Sequence, residues 1–240
     1  MYQPRIYRNF LEREGLYKYE VSDGESDLFV ITSQSEFSAK IKELLSVYRG
    51  QLREYIKICP EFLFSLVPLN ALPSAPDIVL SMISESKKAG VGPMASVAGA
   101  IAEFIGRDLM PLAKTVVIEN GGDIFAIADK PIKIGIFAGN SKIVRQLAVE
   151  VAHEDTPLGI CTSSGTVGHS LSFGYSDSVT IFASSASFAD AVATKIGNMV
   201  KSKNDIPAAL KYSETLREVK GAIIIIGNDI GIRGDIKLAE

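Results

Sequence analysis

An aspartate and a threonine four residues apart, Asp190 and Thr194, are the pair whose types and spacing best suit metal chemistry. Residues 187–201 read as a helix, so a spacing of four puts both side chains on one face. A carboxylate beside a hydroxyl is a hard-oxygen pair suited to Mg²⁺, which completes its shell with water and phosphate oxygens. Gly197 and Lys201 continue the stripe, while Phe188, Val192 and Met199 lie roughly opposite and should face a core. On spacing alone, an Asp and a Thr on a solvated helix face are commonplace.

The second feature is a desert of charge. Between Asp155 and Asp190 the one formally charged residue is Asp177, with His169 taken as neutral, and the stretch contains CTSSGTVGHSLSFG. Ser163, Ser164 and Gly165 offer backbone N–H groups and small side chains, so an anion can approach the main chain closely. Buried strand ends with polar satisfiers look similar. His169 is one of two histidines. Beside Gly168 and Ser170 it suits a hydrogen-bonded structural role, yet imidazole is also the group best matched to proton transfer near neutral pH. Asn120-Gly121-Gly122-Asp123 sits between two strands, where Gly-Gly supports positive φ and the flanking Asn and Asp can bond the turn backbone. Ala95, Ser96, Ala98 and Gly99 make one helix start unusually small, which permits close approach of a ligand or of other backbone; Gly99 costs about 1 kcal/mol of helix propensity, so packing should require it.

These residues need a frame. Residues 5–32 read as strands, with 16–22 and 27–32 flanking an Asp23-Gly24 turn. Phe37, Ile41, Leu44, Tyr48, Leu52 and Tyr55 recur at helical spacing over 36–59, and Pro60 ends that helix. Asp77 reads as the N-cap of a helix closed by Gly90. A second helix should run from Pro93 to Gly106. Short strands follow at 114–119, 123–128, 132–138, 158–162 and 178–183. After the helix at 187–201, a short helix is expected at 214–219, a buried strand at 222–226, and a turn and final strand in GNDIGIRGDIKL. With no internal repeat and no long linker, residues 1–240 are expected to form one α+β domain.

Composition sets limits. In 240 residues, 47% are hydrophobic, 22% are charged and the net charge is −3, which describes a globular chain without an electrostatic footprint for nucleic acid. The N-terminal MYQPRIYRNFLEREG lacks an apolar signal region, and uncharged stretches are broken by Gly, Pro and hydroxyl residues, so a cytoplasmic protein without a membrane span is expected. Cys59 and Cys161 read as free thiols in a reduced compartment.

Four segments in order, GPMASVAGAIAEFIG, VVIENGGDIFA, GICTSSGTVGHSLSFG and SVTIFASSASFADAVATKIGN, resemble the ApbE-like superfamily, and most closely an uncharacterised prokaryotic branch of it. The resemblance covers roughly residues 75–200 and implies an ApbE-like fold of mixed or antiparallel sheets packed with helices. The better-known members transfer FMN from FAD to a threonine of a target protein, or hydrolyse FAD, using Mg²⁺. Their D-A-x-A-T motif matches Asp190 to Thr194, implying both as metal ligands, with the Ala98 carbonyl as a third. Gly121, Gly122 and Asp123 match a turn lining the dinucleotide site, Ser163-Ser164-Gly165 approximates a T-S-G strand end, and His169 falls where the transferase base is proposed. Two departures stand out: Gly99 replaces a lysine, and SLSFG follows His169 where the motif continues with Asp-Pro. The resemblance therefore implies Mg²⁺-dependent cleavage of FAD or FMN transfer to a protein acceptor, or alternatively a flavin-, nucleotide- or phosphate-cofactor-binding module without turnover.

Overall fold

A computed structural model describes residues 15–136, 147–165 and 174–239. The first hairpin joins β1 (Tyr17–Asp23) to β2 (Ser26–Thr32), with Asp23 opposite Ser26 and Gly24 at φ +57°. The turn expected at Asp23-Gly24 is therefore present.

Helix α1 (Ser38–Ile58) buries Ile41, Leu44, Leu52 and Tyr55 of the expected stripe. It starts at Ser38 rather than residue 36, because Glu36 adopts φ +68°, outside the right-handed helical region. Pro60 ends it and at once caps a single turn, α2 (Glu61–Phe64), that the pattern did not foretell. Asp77 proves to be the first residue of α3 (Asp77–Ala89), not its N-cap. The extended Pro76 takes the cap position, and left-handed Gly90 closes the helix as expected. The next helix is split: Pro93–Ser96 form a 3₁₀ turn, and α4 spans Val97–Leu109.

Strands β3 (Val116–Asn120), β4 (Asp123–Ile127), β5 (Ile132–Gly135), β6 (Ala148–Val151), β7 (Leu158–Ser163) and β8 (Ser178–Ala183) lead into helix α5 (Ala186–Met199). Helix α6 (Ile206–Glu214) precedes β9 (Val219–Ile226), β10 (Asp229–Gly234) and β11 (Lys237–Leu238). The helix expected at 214–219 lies earlier, because Pro207 fits a first turn and Ile206, Ala209 and Ser213 bury against the sheet.

The main sheet has eight strands in the order β1-β2-β3-β4-β7-β8-β9-β10, and a second sheet runs β11-β6-β5. All pairings among the described residues are antiparallel. Strand alternation gives the main sheet two apolar faces. Val30, Ile118, Phe125, Cys161 and Ile181 point toward the helices, and Ile31, Val117, Ile160, Phe182 and Ile223 toward the small sheet. The fold is thus α+β in three layers: helices, eight-stranded sheet, three-stranded sheet. Helix α4 lies over β3 and β4 while α5 lies over β7 and β8, so the two helices meet above the centre of the sheet. No single helix among the described residues is long and apolar enough to cross a membrane.

Candidate functional site

The β3–β4 hairpin and the first turns of α4 and α5 converge. Gly121 and Gly122 adopt φ +69° and +108°, as a tight turn here requires. The flanking residues do not serve that turn as expected. Glu119 instead accepts the Gly122 N–H at 2.7 Å, because alternation sends Asn120 and Asp123 to the helix-facing side. There the Asn120 amide donates to the Ala98 carbonyl at 3.2 Å, and an Asp123 oxygen accepts the Thr162 N–H at 3.0 Å.

Asp190 reaches the same spot from α5. Its carboxylate accepts the Gly99 N–H at 3.0 Å, within the first turn of α4, where aligned amides favour negative charge. The small side chains at the start of α4 are needed for this approach. A Cβ on Gly99 would lie 2.3 Å from the Ala186 carbonyl oxygen and 2.9 Å from the Asp190 Cβ. The close neighbour of Gly99 is thus another helix.

A second carboxylate works in the opposite direction. Glu103, one turn along α4 and 4% exposed, accepts from Ser187 N–H at 3.1 Å and Ser185 Oγ at 2.8 Å. Its other oxygen accepts from Arg107 at 2.7 and 2.9 Å. Ser185 also caps α5 by accepting the Phe188 N–H. Each helix therefore receives a carboxylate from the other at its N-terminal turn.

Two acids and a thiol are packed together here. Burial is the main reason that Asp123 is pushed up to about 7, with the charge of Glu119 adding to the rise. Burial and then the charge of Asp123 raise Asp190 well above the usual carboxylate range, against the pull of the Gly99 and Ala98 amides. Burial, then Asp123 and Asp190, raise the Cys161 thiol, which stays protonated and donates to the Ala186 carbonyl at 3.3 Å. Such repulsion between neighbouring acids is what a cation relieves.

The donor set suits a hard cation only in part. Asp190 and Thr194 lie one turn apart on α5, both partly exposed. The Ala98 carbonyl already accepts from Asn120 and belongs to the α4 ladder, so both its lone pairs are engaged. A cation at Ala98 has to displace the Asn120 amide. Among the described residues no group of three or more His, Cys, Asp or Glu is placed to hold a metal, so such a site draws on hydroxyl, carbonyl and water oxygens.

Ser163 shares the helix-facing side with Cys161 by alternation, and its buried Oγ has no hydrogen-bond partner among the described residues. Ser164 is partly exposed and Gly165 is exposed. The Gly165 N–H donates to the Ser176 carbonyl at 3.0 Å, joining the end of β7 to the chain just before β8. Ala95 is half-buried, whereas the fully buried Ser96 hydroxyl turns inward to the Pro93 carbonyl at 2.8 Å. His169 lies outside the described residues.

Comparison with known proteins supplies a family. The model of the family described as "AbpE bacteria" matches residues 8–227. A UPF0280 protein of Methanocaldococcus jannaschii is 38% identical over 225 residues, covering 92% of this chain and 91% of the relative. A UPF0280 protein of Methanothermobacter thermautotrophicus is 44% identical over 193 residues, 78% of this chain and 75% of the relative. Among solved structures, the apo form of Pseudomonas stutzeri flavinyl transferase ApbE superposes with TM-score 0.61 at 16% identity, covering 91% of this chain and 93% of that one. The ApbE protein of Thermotoga maritima gives 0.56 at 15% identity, with 91% and 97% covered. At those identities the likeness is one of fold.

Proposed function

The chain belongs to the family described as AbpE bacteria, within the ApbE-like superfamily, and from that premise we propose that the Asp190 site holds the pyrophosphate of a flavin dinucleotide with Mg²⁺. The observation that carries this reading is the convergence of Asp190, Asp123 and the α4 N-terminal turn above the β3–β4 hairpin. Asp190 and Thr194 are the metal donors, joined by the Ala98 carbonyl once Asn120 yields it. Gly121, Gly122, Ser163, Ser164 and Gly165 line the dinucleotide, with Ala95, Ser96 and Gly99 shaping the floor through backbone.

Mg²⁺ there supplies charge neutralisation at the pyrophosphate oxygens. The chain's own residues position the reacting groups. Asp123 holds the β7 end through the Thr162 amide, and the buried Ser163 hydroxyl, without a partner among the described residues, is the donor offered to a phosphate oxygen. In FMN transfer, an acceptor hydroxyl oxygen bonds to the FMN phosphorus while the bond from that phosphorus to the AMP oxygen breaks. AMP leaves, and His169 takes the hydroxyl proton. When water is the acceptor, the same step yields FMN and AMP. Residues 1–240 are read as one domain of a cytoplasmic protein whose ligands are a flavin or nucleotide and a protein acceptor.

One observation favours a second reading, a binding module without turnover. Position 99, where the resembling motif has lysine, has no room for a Cβ. The cation that lysine would bring to the phosphates is absent from that position. Incubating the protein with FAD and Mg²⁺, with and without a threonine-bearing peptide, separates the two readings by mass spectrometry. AMP, with FMN or FMN-peptide, marks the enzyme; saturable FAD binding without product marks the module.

A further inference from the structure

The segment after α1 carries an exposed apolar patch. No Asp, Glu, Lys or Arg occurs between Glu61 and Asp77. Ile58, Phe64, Leu66 and Val67 are 66%, 75%, 61% and 63% exposed, and Leu63 and Leu72 add to them. Together these side chains present on the order of 600 Å² of apolar surface, at the top of the range for the largest patch on a monomer.

The exposure does not come from a loose loop. Phe62 is fully buried, with its ring edge-on to Tyr55 at 5.1 Å, and the Tyr55 hydroxyl accepts the Leu72 N–H at 3.1 Å. The backbone at Ser65 presses on Gly92 so closely that a Cβ there would lie 1.8 Å from the Ser65 carbonyl oxygen. Ser65 Oγ bonds the Val67 carbonyl at 2.7 Å and holds the bend. Inward anchors thus fix the segment while its large side chains face out. A preformed apolar face loses little conformational entropy on docking.

We propose that this face is the two-fold interface of a homodimer, with Phe64, Leu66 and Val67 of one copy packed against the same residues of the other. The area is what a second copy needs. About 600 Å² of apolar side chain, with the exposed Pro68 and Pro73 around it, approaches the roughly 800 Å² per partner of a standard interface. A cyclic two-fold interface uses one patch on both copies, so an uncharged apolar centre is self-complementary. The flanking charges carry both signs, in Lys57, Glu61 and Asp77, so opposite charges can face each other across a two-fold.

The test is light-scattering mass measurement of the full chain across dilution from tens of micromolar downward, beside the double variant Phe64→Glu, Val67→Glu. The expected wild-type mass at the upper end is twice 25.8 kDa. The variant places four like charges at the interface and should remain monomeric throughout, with its melting temperature measured alongside. A monomeric wild type at every concentration overturns the proposal, including one that binds phosphatidylcholine vesicles instead. So does a variant that dimerises as the wild type does. Should the variant not fold, hydrogen exchange of the wild type decides: backbone amides of 62–72 gain exchange on dilution for a dimer, and an unchanged rate contradicts it.

Discussion

Asp190 on α5 accepts the Gly99 N–H on α4 at 3.0 Å, and that bond joins the two helices over the middle of the main sheet. It depends on the absence of a side chain at 99, since Ala186 and the Asp190 Cβ occupy the space a Cβ would need. The acid is therefore held by a backbone amide and a close helix contact together. The hydrogen bond and the packing share one position.

Gly99→Ala forces the helices apart or rotates α5. Neither the Ala186 backbone nor the Asp190 Cβ is a flexible end that can swing away. The expected loss is about 2–3 kcal/mol of stability by urea denaturation, as for an overpacked core. A cost under about 0.5 kcal/mol contradicts the close contact.

Glu103→Ala removes the acceptor for Ser187 N–H and Ser185 Oγ and leaves Arg107 without its partner on α4. The expected cost is about 2–3 kcal/mol, since a buried donor at a helix start is left unsatisfied. Glu103→Gln keeps one acceptor oxygen and should lose roughly half as much. Equal losses in the two variants contradict the capping role.

The stability of metal-free protein should fall as pH rises. Asp123 titrates at about 7, chiefly because it is buried. An unfolded aspartate titrates near 4, so between about pH 4 and about pH 7 the folded state holds more protons than the unfolded one. Its contribution is fully present below that window and is lost as pH climbs through it. Melting temperature in EDTA should drop from about pH 5 to about pH 8, and Asp123→Asn should flatten the slope. A slope unchanged in the variant contradicts the assignment.

What the chain's pattern revealed was local. The period of α5 placed Asp190 and Thr194 on one face, and Gly121-Gly122 marked the hairpin turn correctly. The partners of these residues were hidden, because tertiary apposition sets them. Asn120 and Asp123 looked like turn ligands, yet strand alternation turns both toward α4 and β7. Glu103 carries a signal in the sequence: a lone acid amid small and apolar residues in AGAIAEFIG suggests a buried carboxylate with a fixed task. Strand β6 is four residues long, too short for a period to show, and α6 is hard to place by pattern because Pro207 marks its start, not a break.

The central claim is that Asp190 binds the dinucleotide through a metal, and calorimetric titration of FAD in Mg²⁺ and in EDTA tests it on wild type and Asp190→Asn. Saturable binding in Mg²⁺ that weakens at least ~10-fold, worth about 1.4 kcal/mol, in both EDTA and the variant is the predicted result. Equal FAD affinity under all four conditions, or none in any of them, would contradict it.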